Sequence, residues 1–296
     1  MVIVTFKAGR LGNRLFHFSS FIVNSLEHKY KLIYPFFDEY SEYFSYLDGK
    51  KINEQKIFLS FTKTKPLDKL FKLLVKGFFH YKFFIGRLNI NFHFIKLISL
   101  YKEDNSKTEY DLGNPRVINN WGKIFFLNGW LFRNKTDLSQ HYNRLREIFK
   151  PKEEYLSKIN DLIIACHQKG DIIIGVHIRR GDYRTYNGGK YFLDDATYLN
   201  RMKAVANNFS VSGKKCVFLI CSNEKLDLAN FSDIKFVLGD GHLITDLYSL
   251  SQVDYLIGPP STFTAWSSFY GKVPLLAINN QKSKISLTDF KIVDDL

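Results

Sequence analysis

Short apolar runs separated by amphipathic segments organise the C-terminal half of the chain. The run Ile172–Ile174, extended by Val176, is branched and almost uninterrupted, as in a strand buried on both faces of a parallel sheet. Segments with apolar residues every three or four positions alternate with such runs and predict helices. This alternation predicts an α/β unit with a parallel sheet. The further predicted strands are Lys215–Cys221, Ile234–Leu238, Tyr255–Ile257 and Val273–Ile278, and the predicted helices are Asp194–Asn207, Ile244–Ser251 and Ser261–Tyr270.

The N-terminal half begins with a similar alternation. Val2–Phe6 predicts a strand, Leu15–His28 has helical spacing, and Lys31–Phe36 predicts a second strand. Gly9 and Gly12 lie in the first turn, and a strand, glycine loop, helix and strand in this order are typical of a Rossmann-like unit. Further on, Ile124–Phe132 predicts a strand and turn, Glu103–Pro115 a loop, and Leu138–Lys150 and Lys152–His167 two helices.

The length of 296 residues suits either one large domain or two domains of about 150 residues. We place their boundary near the end of the helix predicted at Lys152–His167, which gives an N-terminal domain 1–165 and a C-terminal domain 166–296.

The stretch 63–102 differs in charge from the rest of the chain. Its only acidic residue is Asp68, and apolar and basic residues fall on separate faces of a predicted helix. Two interpretations stay open: a basic amphipathic insertion that lies on a membrane surface, or a core-facing helix with a solvated lysine face. The apolar face comprises Leu67, Leu70, Phe71, Leu74 and Phe78, and the basic residues of the stretch are Lys63, Lys65, Lys69, Lys72, Lys76, Lys82, Arg87, Lys96 and Lys102.

Composition narrows the class of protein. With 45% hydrophobic and 24% charged residues the chain is globular, and a net charge of +13 predicts attraction to nucleic acid, a nucleotide or an acidic membrane. Cys166, Cys216 and Cys221 have no metal-ligand spacing and are predicted to be small buried residues in a reducing compartment. No early apolar segment has the length of a signal peptide or membrane anchor, which predicts a cytoplasmic protein.

A polar cluster follows the strand that begins at Ile172. It contains His177, Arg179, Arg180 and Asp182, at the carboxyl end of the strand, where open α/β sheets bind ligands. A planar guanidinium group suits bidentate binding of phosphate or carboxylate. The simpler alternative is an ion pair between Asp182 and Arg180 that closes a turn.

A second candidate site follows the strand Tyr255–Ile257. A helix begins near Ser261 and Thr262, and the amides at such a helix start favour an anion. If the two strands are neighbours, this helix end and Arg179 can together bind a diphosphate. The sequence has no Walker loop, Asp-x-Asp, HExxH or Cys/His metal spacing. These features predict metal-independent glycosyl transfer from a nucleoside-diphosphate sugar.

Three segments resemble a known family. His177–Tyr183, HIRRGDY, is similar to the HxRRxDY motif of the α-1,2-fucosyltransferase family, which occurs in looser form in related fucosyltransferases. Gly9–Asn13, GRLGN, resembles the glycine-rich start of that superfamily, and the segment from Asp246 to Thr262 resembles its third motif. Arg14 replaces a usual glutamine, and GPPSTF at 258–263 replaces the commoner Asn-Ser-Ser/Thr-Phe-Ser form.

The resemblance implies a GT-B-type architecture, with two Rossmann-like domains facing across a cleft. It further implies inverting transfer of L-fucose from GDP-β-L-fucose to an oligosaccharide hydroxyl, such as the 2-OH of a galactoside, in O-antigen, capsule or glycan synthesis. No cofactor or metal is implied; the partners are the GDP-sugar, an acceptor that is lipid-linked in one version of the hypothesis, and the inner membrane surface. The implied catalytic residues are Arg179, Asp182 and Asn13, and the implied donor-binding residues are His177, Arg179, Arg180, Asp246, Ser261, Thr262, Gly9, Gly12 and Ser222.

Alternatives remain at this point. Another GDP-deoxyhexose is an alternative donor, and a non-enzymatic nucleic-acid or membrane-surface protein is an alternative class, although no RRM, KH or zinc-finger signature is present. Asp182 is either a general base or the ion-pair partner of an arginine. His17 and Glu39 are further candidates for the base.

Overall fold

The structure is a computed structural model, and the chain in it divides into two compact units, Met1–Lys150 and Pro151–Leu296. Both units are mixed α/β with largely parallel sheets, so the predicted fold class is confirmed. The described residues are 1–47, 51–52, 56–62, 64–82, 88–91, 94–100, 110–113, 123–134, 138–210, 213–278 and 285–294. The helices are α1 (Leu11–His28), α2 (Asp38–Ser41), α3 (Lys65–Lys82), α4 (Tyr142–Ile148), α5 (Glu153–His167), α6 (Asp195–Ser210), α7 (Leu243–Ser249) and α8 (Thr262–Gly271).

The N-terminal unit contains, among its described residues, a sheet in the order β3-β4-β2-β1-β8-β6-β5. The central pairs are parallel, and the outer pairs β3–β4 and β5–β6 are antiparallel. Two further short strands, β7 and β9, pair with each other. The strands are β1 (Val2–Val4), β2 (Leu32–Ile33), β3 (Lys51–Ile52), β4 (Ile57–Phe58), β5 (Leu88–Asn91), β6 (Ile95–Leu100), β7 (Tyr110–Asp111), β8 (Ile124–Gly129) and β9 (Phe132–Arg133).

The first helix and second strand differ in extent from their predictions. Helix α1 begins at Leu11 rather than Leu15, because Gly9 turns the chain at φ +34° and the extended Arg10 opens the helix. Strand β2 ends at Ile33, since Pro35 begins a 3₁₀ turn and cannot donate to a sheet.

The basic stretch 63–102 contributes more than the predicted helix. Helix α3 is present, and β5 and β6 then join the edge of the main sheet, so the stretch is part of the sheet rather than an insertion beside it. Residues Lys63, Arg87 and Lys102 lie outside the described part of the chain. Of the predicted loop 103–115 only 110–113 are described, and Tyr110–Asp111 forms β7 there.

The C-terminal unit has a parallel sheet in the order β12-β11-β10-β13-β14. Ile174, Val176 and Ile178 pack on one face, and Ile173 with Leu219 packs on the other. Because both faces are covered by helices, the strands are nearly continuous apolar runs, as predicted. The strands are β10 (Ile172–Ile178), β11 (Cys216–Ser222), β12 (Phe236–Leu238), β13 (Tyr255–Gly258) and β14 (Leu275–Ala277).

Helix α5 belongs to the C-terminal unit. Its residues Ile163 and Cys166 pack into the apolar cluster beneath β11. The units therefore divide at Pro151, before this helix, whereas the sequence placed the boundary near its end.

The three cysteines are free thiols. Cys166 and Cys221 are buried, as predicted, whereas Cys216 is only half-buried, on the opposite face of the sheet from Cys221. Within the described ranges, no helix combines the length and hydropathy needed to cross a membrane.

Candidate functional site

The polar segments after β10 and β13 meet at the carboxyl ends of these two strands of the C-terminal sheet. The strands are parallel neighbours, with Val176 beside Ile257, which confirms the predicted adjacency. The winding of the sheet reverses between these strands, and ligands of open α/β sheets bind at such a switch point. The Tyr183 hydroxyl donates a 2.6 Å hydrogen bond to the Pro260 carbonyl oxygen and so fastens the two segments together.

Arg179 directly follows β10, and its side chain is 15% exposed. Its guanidinium group donates two hydrogen bonds to Asp182, from Nε at 3.1 Å and from Nη2 at 2.9 Å. It also lies over the Tyr183 ring, 5.1 Å from the centroid. The backbone N–H of Arg179 donates to the Tyr198 hydroxyl at 3.2 Å. These contacts hold a planar cation in a fixed orientation at the switch point.

Arg180 has a different role from Arg179. Its Nη2 pairs with Asp195 at the start of α6, and Asp195 also accepts a hydrogen bond from Asn230 at 2.8 Å. The backbone N–H of Arg180 donates to Asn223 at 2.8 Å. The side chain is only 11% exposed, so Arg180 anchors the loop that carries Arg179.

His177 is buried within β10, with 4% of its surface exposed. Its ring stacks on Phe263 of α8, with 4.6 Å between the centroids. Burial and then the charge of Arg179 lower the pKa of His177 to about 3, so the ring is neutral. Its Nδ1 atom has no hydrogen-bond partner among the described residues, and a bound molecule at the carboxyl ends of β10 and β13 is one source of such a partner.

The start of α8 has the predicted anion-binding form. Ser261 caps the helix, and its Oγ accepts a 3.1 Å hydrogen bond from the Phe263 N–H. Thr262 is the first helical residue, at the carboxyl end of β13. The free amides and the positive end of the helix dipole favour an anion here, and phosphate binding stays a prediction.

A pocket of about 290 Å³ opens beside the ends of β11 and β12. It brings together Ser222 and Asp246, two residues that sequence reasoning assigned to one ligand. Apolar side chains form part of the wall, and Leu228 and Leu238 are partly exposed there. The pocket therefore offers a flat molecule both apolar contact and carboxylates. Its lining is Ile220, Ser222, Glu224, Lys225, Leu226, Leu228, Leu238, Gly239, Asp240, Gly241 and Asp246.

Asp246 is the most electrostatically perturbed group of this pocket. Burial, and then the nearby charge of Asp240, raise its pKa from 3.8 to about 7. Its Oδ1 atom has no hydrogen-bond partner within the part of the chain described by the structure. A carboxylate that is buried and only partly satisfied is suited to accept N–H donors from a ligand.

The loop after β11 supports the loop after β10 that carries Arg179, and the sequence did not predict this support. Glu224 accepts hydrogen bonds from the Gly181 N–H and the Arg184 Nη2, both at 2.9 Å. Gly181 has a left-handed φ of +51°, and an added Cβ would lie 2.9 Å from the Asn223 amide nitrogen. The signal available in the sequence was position, since Asn223 and Glu224 directly follow β11 of the parallel sheet.

The predicted residues Gly9, Gly12 and Asn13 lie in the N-terminal unit. Gly9 and Asn13 are in close contact, so that a Cβ on Gly9 would overlap the Asn13 amide, and Gly12 is buried in the first turn of α1. Arg14 holds this loop: it donates to the carbonyl oxygens of Ala8 at 3.2 Å and Gly9 at 2.9 Å. The arginine that replaces a usual glutamine is thus a buried support of the glycine loop.

His17 and Glu39 are both engaged within the N-terminal unit. His17 is 1% exposed, and its ring nitrogens contact the Tyr34 hydroxyl at 2.6 Å and the Gly129 carbonyl oxygen at 3.1 Å. Burial lowers the pKa of His17 to about 3. Partial burial acts to raise the pKa of Glu39, but Lys7 and Arg14 lower it overall. These contacts favour structural roles over that of a general base.

The described residues contain no group of three His, Cys, Asp or Glu side chains that is arranged to hold a metal ion. Independence from metal stays a prediction of the sequence.

The model of glycosyl transferase family 11 matches residues 36–286 of the chain. No curated protein sequence matches significantly. Among solved structures, a mutant of FUT1 from Arabidopsis thaliana in complex with GDP is similar over 98% of this chain and 72% of its own, with 13% identity and a TM-score of 0.59. Fucosyltransferase NodZ from Bradyrhizobium is similar over 95% of this chain and 96% of its own, with 13% identity and a TM-score of 0.53. POFUT1 in complex with GDP-fucose is similar over 94% of this chain and 97% of its own, with 10% identity and a TM-score of 0.53. At these identities the likeness shows a shared fold.

Proposed function

The chain belongs to glycosyl transferase family 11, and we propose that it transfers L-fucose from GDP-β-L-fucose to a hydroxyl group of an oligosaccharide. The membership agrees with the family that the HIRRGDY segment predicted, and it favours an enzyme over a non-enzymatic basic protein. The observation that carries the proposal is that Arg179 and the capped start of α8 follow adjacent strands at one switch point, where the hydrogen bond from Tyr183 to Pro260 joins their segments. Similar folds hold GDP in the FUT1 complex and GDP-fucose in the POFUT1 complex.

The phosphates of the donor bind at the switch point in this proposal. Asp182 accepts two of the five guanidinium N–H donors of Arg179, and the others are offered to phosphate. Ser261 and Thr262 offer a hydroxyl-capped helix start after the neighbouring strand. Each hydrogen bond to a charged group contributes roughly 1.5–3 kcal/mol. Two such groups on adjacent strands are suited to a diphosphate, which spans more than one anion position.

The guanine base occupies the pocket lined by Ser222 and Asp246. Guanine presents adjacent N–H donors on its Watson–Crick edge, and a carboxylate such as Asp246 accepts them. Leu228 and Leu238 supply apolar contact for the flat ring. Adenine and uracil lack this pair of donors, so the pocket selects GDP.

Transfer proceeds with inversion. The acceptor oxygen forms a bond to C1 of fucose as the bond from C1 to the phosphate oxygen breaks, and the β-linked sugar becomes an α-glycoside. Charge develops on the departing diphosphate, where Arg179 stabilises it, and such preorganised electrostatic stabilisation is commonly the largest contribution to catalysis. Asp182 orients Arg179 through its two hydrogen bonds. The acceptor proton leaves late, to solvent or diphosphate.

The acceptor in this proposal is a galactoside that receives fucose at its 2-OH, in the synthesis of an O-antigen, capsule or other glycan. This rests on the similarity of HIRRGDY to the α-1,2 subgroup. A related GDP-deoxyhexose is the alternative donor, favoured by GPPSTF at 258–263 in place of the common form.

The test is a transfer assay with GDP-fucose, GDP-mannose and UDP-galactose against a panel of galactosides, followed by NMR of the product. We expect transfer from GDP-fucose alone, in the presence of EDTA, with an α-1,2 linkage. Transfer from UDP-galactose would overturn the proposal, and so would a failure to transfer from either GDP-sugar.

Replacing Asp182 with asparagine distinguishes its two candidate roles. If Asp182 orients Arg179, kcat/KM falls by roughly tenfold, because asparagine keeps the shape but weakens one charge-assisted pair. The dependence of kcat on pH is then the same as in the wild type. The measurement is the pH–rate profile of both proteins. A loss of about a thousandfold with a flattened acidic limb would identify Asp182 as the general base instead.

A further inference from the structure

Helix α3 turns its apolar side chains outward. Leu67, Leu70, Phe71 and Leu74 follow the i, i+3, i+4, i+7 spacing of a single helical face, and each is between 46% and 58% exposed. Leu73 beside them is 66% exposed. The face stays open further along the helix, since a Cβ added at Gly77 would meet no atom of the described residues within 4 Å outside the backbone of its own helix.

The helix is fastened to its unit by polar contacts. Asp68 is buried and accepts a 2.6 Å hydrogen bond from the Phe61 N–H. Lys72 pairs with Asp68 at 2.9 Å and with Asp38 at 2.5 Å. Phe71 contacts Phe61 at the margin of the apolar face, with 6.1 Å between the ring centroids. The helix therefore does not pack as a core-facing amphipathic helix, which would bury its leucines.

Positive charge borders this face. Lys65 and Lys69 are exposed, and the sequence of α3 contains five lysines and one acidic residue. The whole chain carries a net charge of +13. An apolar stripe bordered by lysines matches the boundary between acyl chains and anionic headgroups, where such helices lie with the stripe submerged.

We propose that the α3 face, defined by Leu67, Leu70, Phe71, Leu73 and Leu74 with Lys65 and Lys69, docks on an anionic lipid bilayer. Charge complementarity favours this occupant over a second copy of the chain, because self-association would bring two lysine-rich helices together. The inference concerns the N-terminal unit and does not depend on which nucleotide binds. If the proposed function holds, docking brings the enzyme to acceptors carried on lipids.

The experiment is vesicle flotation of the full chain with phosphatidylcholine alone and with about 30% phosphatidylglycerol added, at low and high salt. The test variant is Leu73→Glu with Leu74→Glu, which places charge on the most exposed leucines of the face. The matched control is Ile164→Glu, since Ile164 is 55% exposed on a helix of the other unit. Thermal unfolding of each protein establishes that the variants are folded.

We expect binding to the anionic vesicles, weaker by roughly tenfold on phosphatidylcholine alone or at high salt. The double variant is expected to lose at least about tenfold in partitioning, while Ile164→Glu binds like the wild type. Equal binding of the wild type and double variant would overturn the inference. So would a wild-type dimer, detected by light scattering, that the double variant abolishes without any binding to vesicles. GDP binding is measured without lipid, so failure of the proposed function is recorded separately.

Discussion

Replacing Arg179 with alanine is expected to lower kcat/KM for fucosyl transfer by roughly a thousandfold. In the proposed complex the guanidinium N–H groups that Asp182 does not occupy face the departing diphosphate at the switch point between β10 and β13. Removing the guanidinium group leaves the developing charge without its main cation. The fold is expected to persist, because the Asp182 side chain left behind is 42% exposed and is solvated by water. Steady-state kinetics and a thermal melt measure the two effects.

The matched control is Arg184→Ala in the same loop. Arg184 also pairs with a carboxylate, Glu224, but its side chain is 53% exposed. Surface pairs of this kind contribute about 0–1 kcal/mol, so we expect less than about a threefold change in kcat/KM. Near-normal turnover of Arg179→Ala, or an equal loss in both variants, would contradict the assignment of Arg179.

Replacing Asp246 with asparagine is expected to weaken GDP binding by about a hundredfold at pH 8 and to stabilise the protein. The carboxylate accepts two guanine donors in the proposed complex, whereas an amide offers one acceptor and introduces competing donors. In the free protein the same carboxylate is buried with Oδ1 unpartnered among the described residues, so ionising it costs stability. Calorimetric titration and thermal unfolding report the two opposite changes.

The pH dependence follows from the raised pKa of Asp246. The unfolded carboxyl ionises near 3.8 and the folded one near 7, so wild-type stability falls as the pH rises between these values. Below pH 3.8 the group is neutral in both states and contributes nothing. Across this window the cost of ionising Asp246 in the folded protein grows to roughly 4 kcal/mol, and Asp246→Asn removes this cost.

GDP affinity changes in the opposite sense. Because guanine binds the ionised carboxylate in the proposed complex, wild-type affinity is expected to fall by about tenfold per pH unit below 7, and that of Asp246→Asn to stay flat. Asp233→Asn, which removes an exposed carboxylate of the same unit, is the control and is expected to match the wild type. Parallel pH profiles in wild type and Asp246→Asn would show that guanine does not contact this carboxylate.

The C-terminal unit was largely predictable from its sequence. Continuous apolar strands and capped helices are local signals, and the motifs at residues 177–183 and 258–262 follow adjacent strands as expected. Which partner each charge takes was not predictable, because pairing depends on how loops close in space. Asp182 pairs with Arg179, and Arg180 reaches Asp195 in the next helix.

The N-terminal unit was less predictable, for reasons seen in single residues. Periodicity located α3 but not the direction of its apolar face, since the ion pair between the buried Asp68 and the half-buried Lys72 decides that. The early start of α1 accompanies the long-range contact from Arg14 to the Phe36 carbonyl oxygen, at 2.9 Å. The pocket beside Asp246 was only partly predicted, as Leu228 and Leu238 come from segments without a recognisable motif.

In the proposed complex the C-terminal unit binds GDP without metal, at the switch point and in the pocket beside Asp246. The most direct test of this binding is calorimetric titration of the full chain with GDP in the presence of EDTA, with UDP and ADP as controls. We predict saturable binding of GDP that is tighter than binding of UDP or ADP by roughly tenfold or more. Absence of GDP binding, equal binding of the three nucleotides, or binding only after a divalent metal is added would contradict the account.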